Sequence, residues 1–396
     1  MRLSWLFCLF LLSQDDVAAR LKAEKWRGVQ YLVEKGEGSR AALQEATKGG
    51  DRDVTFYAQA ALAELDSLRA GGHSTVPRTT GTQAQAARVV ADLFKSAGLS
   101  FSLDSLPEKS LTLPDGLTFA EALDAVSQEL NVEFVQDDKG TWKPGGPFNK
   151  VPRFSSGSVR ARMEGVVGGT TWNPGLPPTR HLWLTGNLQG FFSRFRAPVL
   201  YADLRVLEAL DEHGRDLRWH RDWHEDSIHA QEERRERDAS FIVALKAPDL
   251  KTTRVACLRL AADFCFKKKE DRITFDKVAG ARSVRTVVGD VEATLLRAGM
   301  EGDVFRVDVK VKAPGVDARI PGNEERRELG IRLLDAEGRA WERSGGGYGS
   351  DGRESTYESE FKNRAGAGPP ATVTFSMITE VEVRSVYFEF RDLNLP

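Results

Sequence analysis

At 396 residues the chain is too long for one ordinary hydrophobic core, and roughly 100–200 residues per domain implies two to four domains. Its 56 basic and 58 acidic residues are interspersed and leave a formal net charge of -2, so neither a nucleic-acid partner nor an anionic membrane surface is indicated. With 41% hydrophobic and 29% charged residues the composition is that of a soluble protein, and 36 Gly with 16 Pro point to turns and β structure.

The chain opens Met1-Arg-Leu-Ser-Trp-Leu-Phe-Cys-Leu-Phe-Leu-Leu-Ser13, a short basic start followed by an apolar run. That run is too short to span a bilayer and has the proportions of a secretory signal, predicted over residues 1–14 with processing near Ser13 or Gln14. The alternative is a buried N-terminal helix. Cys8 sits too early, and without a preceding small residue, for a lipid anchor. No later segment is long and apolar enough to cross a membrane. The expectation is an exported protein, periplasmic or extracellular, with no integral membrane segment once the signal is removed. Cys257 and Cys265 then remain. Across a tight bend at Ala261-Ala262-Asp263 they would form a disulfide; on one continuous strand they would stand about 27 Å apart as buried thiols.

From Asp16 to about Arg69, Leu21, Tyr31, Leu32, Ala42, Leu43 and Ala46, then Ala58, Ala61, Leu62 and Leu65, recur at helical spacing, broken by Gly49-Gly50-Asp51. The pair formed by Gly36-x-x-x-x-Ala41-Ala-Leu43 and Ala58-x-x-Ala61-Leu62-x-x-Leu65, with Asp51 in the turn, resembles a HEAT-type repeat, assigned to 15–72. One repeat cannot bury both faces, so it either packs on the next domain or serves as a docking arm. Gly71 to Gly81 reads as a linker.

Over 80–146 a small α/β module is predicted. A helix through Ala86, Val89, Val90, Leu93 and Phe94 stops at Gly98, and strands follow at Leu99–Leu103 and Leu111–Leu113. Thr118 and Glu121 form a capping box ahead of Ala122, Leu123 and Val126, and Val132–Val135 with Thr141-Trp142 close a hairpin. The run LTLPDGLTFAEALDAVSQELNVEFVQDDKGTWKP resembles the short N-terminal module of secretins and TonB-dependent receptors. The resemblance implies a non-enzymatic protein–protein docking module of the bacterial envelope. No pore-forming or barrel region follows it in this chain, which argues against a channel or receptor role.

The remainder reads as two tandem antiparallel β-sandwich domains of Ig-like kind, 150–280 and 281–396, which makes the whole a multidomain α+β protein. Two echoes carry the duplication. Leu207-Glu-Ala-Leu-Asp211-Glu-His-Gly214-Arg215 returns 124 residues later as Ile331-Arg-Leu-Leu-Asp335-Ala-Glu-Gly338-Arg339. Arg254-x-x-x-Leu258-Arg-Leu260 returns after 130 as Arg384-x-x-x-Phe388-Glu-Phe390. In each Asp-x-x-Gly-Arg the Asp is suited to accept backbone N–H bonds and the Gly to take the left-handed position of a hairpin exit.

Candidate chemistry lies where the copies differ. The first contains the insert Trp219-His220-Arg-Asp222-Trp223-His224-Glu225-Asp226-Ser-Ile-His229. On a helix His220 and His224 share a face beside Glu225, the arrangement of a two-His, one-carboxylate metal site. Exposed Trp219 and Trp223, with Tyr348 of the second copy, suit a sugar or partner surface. The bland reading is a solvated inter-strand loop. Gly347-Tyr-Gly349-Ser-Asp-Gly352 satisfies G-x-G-x-x-G, but the residues after it alternate like a strand, whereas a pyrophosphate site requires a helix N-terminus there. No nucleophile elbow, Cys with a dedicated His, or carboxylate pair in an apolar setting occurs. The sequence therefore indicates no catalytic residue and no cofactor. It favours a non-catalytic interaction or scaffolding protein with an envelope protein partner, ahead of glycan or cell-wall binding and of a metal-dependent hydrolase.

Overall fold

The computed structural model describes residues 13–69, 84–102, 106–114, 117–136, 141–156, 159–171, 179–190, 200–218, 227–230, 238–247, 251–289, 291–312, 331–350, 354–363 and 366–395. The apolar run of residues 1–12 lies outside them. The fold is mostly antiparallel β sheet with an N-terminal helical segment.

The helical segment begins where Ser13 caps α1 (Gln14–Glu24), its hydroxyl accepting the Asp16 N–H at 3.1 Å. Lys25, at φ 51, turns the chain into α2 (Trp26–Glu34). A 3-10 turn leads to α3 (Arg40–Ala46). Asp51 then caps α4 (Arg52–Arg69), accepting from Asp53 and Val54 N–H at 3.0 and 3.2 Å. Leu21, Leu32, Leu43, Tyr57 and Ala61 fill the space between these helices.

The α/β module follows the predicted order: β1 (Ala84–Gln85), α5 (Ala86–Ser96), β2 (Ser110–Leu111), α6 (Phe119–Leu130), β3 (Val132–Gln136) and β4 (Trp142–Pro147). Gly98 at φ 67 ends α5, and the capping box at α6 is complete: Thr118 accepts from Glu121 N–H and Glu121 accepts from Thr118 N–H. Of the strand expected over Leu99–Leu103, Phe101 forms an isolated parallel bridge with Trp142. Phe94, Phe119, Leu123, Phe134 and Trp142 form the core.

Two series of strands follow. The first is β5 (Arg153–Ser156), β6 (Val159–Thr171), β7 (Thr179–Gly190), β8 (Leu200–Asp211), β9 (Ser227–Ala230), β10 (Asp238–Ala247) and β11 (Arg254–Asp276). The second is β12 (Arg282–Val288), β13 (Val291–Glu301), β14 (Val304–Lys312), β15 (Arg332–Asp335), β16 (Glu342–Ser350), β17 (Glu354–Lys362) and β18 (Pro370–Asn394). Each series makes a five-stranded sheet in the same order, β5-β6-β7-β10-β9 and β12-β13-β14-β17-β16, and sends its fourth and seventh strands to other pairings.

The repeated hairpins are superposable in their hydrogen bonds. Asp211 N–H donates to Arg215 O and Asp335 N–H to Arg339 O, both at 3.0 Å. Each Asp Oδ1 accepts the Arg N–H at 2.8 Å, and each Oδ2 accepts from the Arg Nε, at 2.6 and 2.7 Å. Gly214 and Gly338 take φ 75 and 81, as the turn requires.

The chain forms two compact units, residues 1–264 with 384–396, and residues 265–383. The division falls inside β11 and β18, so each long strand gives one half to each unit. The ranges 150–280 and 281–396 follow the repeat of the sequence, whereas compactness divides the chain within two strands. Unit 1 orders β8-β11-β18 through the halves Arg254–Phe264 and Arg384–Asn394; unit 2 orders β15-β18-β11 through the other halves. Strand β11 runs without a break through Cys257 and Cys265, so the bend that a disulfide between them requires is not formed. Cys257 is a buried free thiol. No described helix is long and apolar enough to cross a membrane.

Candidate functional site

In unit 1 the strands β11 and β18 are buried on both faces: Leu258, Arg259 and Leu260 are 0%, 2% and 0% exposed, and Phe388, Glu389 and Phe390 are equally enclosed. One face packs toward the five-stranded sheet through Phe241, whose ring lies 5.9 Å from Phe388. The helical segment packs on the sheet as well, with Phe56 against Tyr387 at 5.9 Å and Trp26 against Phe154 at 4.7 Å. The helical segment is therefore seated on unit 1 and is not a free arm.

That covering leaves ionic groups out of water, where they must be paired. Arg259 Nη1 lies 2.7 Å from both Asp53 Oδ1 on α4 and Glu208 Oε2 on β8, and its Nε lies 3.6 Å from Glu389 Oε2. The guanidinium stacks over the rings of Phe56 and Tyr57, at 4.7 and 5.3 Å from their centroids. Glu389 accepts the Tyr57 hydroxyl at 2.8 Å and pairs with Arg391. Arg259 thus pins the first turns of α4 to the sheet.

Beside this network lies a pocket of about 410 Å³ between the start of α4 and the sheet, lined by Arg52, Phe56, Gln59, Glu208, Arg218 and Arg259 among others. Its charges are largely engaged. Arg218 Nη2 holds Asp216 at 2.6 Å and its Nη1 donates to Leu207 O, while Arg52 approaches Glu208 at 3.9 Å. The groups nearby with nucleophilic potential are held in their protonated forms. Burial, then the negative Glu389, pushes the Cys257 thiol up to about 11, and the same two causes push the Tyr57 phenol up to about 12. Neither supplies an anion at neutral pH. What the pocket offers is shape, fixed dipoles and a stacked cation.

A second network fastens the α/β module to the first sheet. Arg160, 1% exposed, reaches Asp124 at 2.6 Å and Glu133 at 3.3 Å, and Arg153 bridges the same two carboxylates. Glu133 is held below the usual carboxylate range although burial opposes this, because Arg153, Arg160 and the Asn149 N–H favour its charged form.

The residues singled out in the sequence are placed unevenly. Trp219, His220, Trp223, His224 and Glu225 lie outside the described residues. Ser227–Ala230, the end of their insert, is not loop: it forms the edge strand β9, with Ile228 opposite Phe241. Tyr348 stands in β16 opposite Tyr357 of β17. Gly347 and Gly349 belong to the same strand and β17 begins at Glu354, so no described helix follows them to hold a phosphate. Among the described residues no group of three or more His, Cys, Asp or Glu is placed to hold a metal ion.

Sequence reasoning missed Arg259, Glu389 and Tyr57, although a signal was present. Arg259 and Glu389 are the charged centres of the echoed segments Leu258-Arg-Leu260 and Phe388-Glu-Phe390, and the fold brings those two positions together.

Neither a family model nor a curated protein matches the sequence. A solved structure described as a conserved domain protein from Bacillus anthracis is similar over 62% of this chain and 89% of its own, at 11% identity and a TM-score of 0.17. At that score the likeness carries no argument about fold or function.

Proposed function

We propose that the chain is an exported protein of the bacterial envelope that acts by binding, as an interaction or scaffolding protein, and not by catalysis. In this reading the two β units are tandem sandwiches of Ig-like kind, the helical segment is HEAT-like, and the α/β module is of the secretin and TonB type. The observation that carries the reading is the state of the pocket beside Arg259. Of the charged groups that line it, Glu208 is paired with Arg259 and Asp216 with Arg218. A site with its ionisable groups so committed recognises ligands better than it transforms them.

The test is capture of a stoichiometric partner from envelope extract by the full-length protein, repeated with Gln59→Trp, which fills the pocket and adds no charge beside the ion pairs. Capture by the wild type that the variant reduces is the expected result. Failure of the wild type to retain any partner, or a hydrolytic activity that depends on added metal, contradicts the reading.

A further inference from the structure

The outer faces of the two five-stranded sheets differ in kind. In unit 2 the register places Glu292, Lys312 and Glu354 in one row across β13, β14 and β17, and Arg297, Asp308 and Glu358 in another. These charges neutralise one another: Arg297 meets Asp308 at 2.8 Å, Arg306 meets Glu358 at 2.7 Å, and Glu354 takes both Lys310 and Lys312. It is a solvated face. In unit 1 the corresponding strands β6, β7 and β10 set Val167, Trp183 and Ala244 in one row, and Gly165, Thr185 and Ile242 in the next. Those two rows carry no charge; the next row sets Lys246 opposite His181. Val167 is 59% exposed and Trp183 36%.

Trp183 lies down against the sheet. A Cβ on Gly169 would approach its Cζ3 to 3.1 Å, so glycine at that position lets the indole rest over β6. Gly165 stands on the other side of Val167, which leaves the surface beside the ring flat, and His181 stands next to the indole at 6.1 Å between ring centres. Nothing in the core requires an indole on this outer face, because the inward positions of the same strand are filled by Leu182, Leu184 and Leu188.

We infer that this face of unit 1, centred on Trp183, binds the pyranose rings of a neutral glycan chain. The argument is one of charge and shape together. A charged peptide finds no counter-ion in the two central rows, whereas the duplicate sheet bristles with them. A pyranose ring covers a flat π-face with its axial C–H groups while its hydroxyls stay in water or reach Thr185 and His181. This site is distinct from the pocket beside Arg259, and neither reading depends on the other.

Full-length protein is run through native gels containing a soluble neutral glucan, hydroxyethylcellulose or laminarin, and sedimented with insoluble chitin and with purified peptidoglycan sacculi, so that the arms separate the possible sources. The expected result is retention by at least one of the neutral polymers, with Trp183→Ala weakening apparent affinity by about tenfold or more and Leu296→Ala in unit 2 leaving it unchanged; retention by the sacculi alone, whose stem peptides are charged, overturns the inference. Trp183→Phe, which keeps an aromatic ring, retains part of the binding and covers the case in which the alanine variant does not fold. Absence of retention by all four probes overturns the inference. So does equal binding by the wild type and a folded Trp183→Ala, or an envelope protein captured through Trp183 without any glycan.

Discussion

The two β units share a strand order and a hairpin, yet their surfaces have taken opposite courses. In unit 1 the halves of β11 and β18 are covered by helices, and Arg259 and Glu389 meet out of water. In unit 2 the other halves of the same two strands bury one face in the core, through Ile273, Phe275, Val373 and Phe375, and leave ion pairs such as Lys268 with Glu380 at the surface. The five-stranded sheets repeat the contrast, with two uncharged central rows at Trp183 and Thr185 in one and ion pairs laddered across the other. A duplicated scaffold holds its turns and cores because geometry fixes them, and is free to change on its faces.

The contrast is sharpest at the buried cation. Arg259→Ala leaves Glu389, Glu208 and Asp53 without their common partner, and an expected loss of about 3–5 kcal/mol should show as a lower urea midpoint. Lys268→Ala, at the surface of the other half of the same strand, should leave that midpoint where it is. Equal effects would break the distinction between the units. Next comes Gly186, where a Cβ would stand 2.2 Å from the Phe241 ring and 2.5 Å from Arg162 O. Gly186→Ala should cost about 1–3 kcal/mol, whereas Gly299→Ala in unit 2, with nothing within 4 Å, should be neutral or slightly stabilising.

A smaller effect is expected from acid at the hairpin of unit 2. Burial raises the pKa of Asp335, but the Gly368 and Arg339 N–H groups and the Arg339 guanidinium outweigh it and hold the carboxyl at about 2, below its ordinary 3.8. A depressed folded-state value means that the stabilisation is complete above about pH 4 and fades as pH falls toward 2. The melting temperature of the wild type should drop across that window, and Asp335→Asn should flatten the drop. A modest change in stability is expected at Trp183: the indole is 36% exposed and rests on the sheet, so Trp183→Ala should shift unfolding by about 1 kcal/mol while removing the glycan contact. A large destabilisation there would recast Trp183 as core.

Much of this was legible in the chain. The hairpins followed from Asp-x-x-Gly-Arg because a turn is local, and the capping box at Thr118 and Glu121 for the same reason. The α/β module emerged from spacing, and the duplication from two echoes. The sharing of long strands by both units was not legible, since Val255–Leu260 and Ile273–Phe275, and likewise Ala371–Met377 and Val386–Phe390, read as separate short strands and nothing local joins each pair. Arg259 and Glu389 were missed because a charged residue between two apolar ones reads as alternation, with the charge facing water; only the helices laid over that face bury it. Trp183 was passed over for Trp219 and Trp223, although alternation with Leu182 and Leu184 sets it on the face opposite the leucines.

The central claim, that function resides where the copies diverge, is tested most directly by exchanging the character of the two faces. Full-length protein carrying Val167→Glu with Trp183→Lys, and protein carrying Asp308→Asn with Lys310→Gln, are each tested beside the wild type against the purified neutral glycan that retains the wild type. The account predicts that the first pair abolishes retention and the second leaves it intact; retention that survives the first and is lost with the second would contradict it.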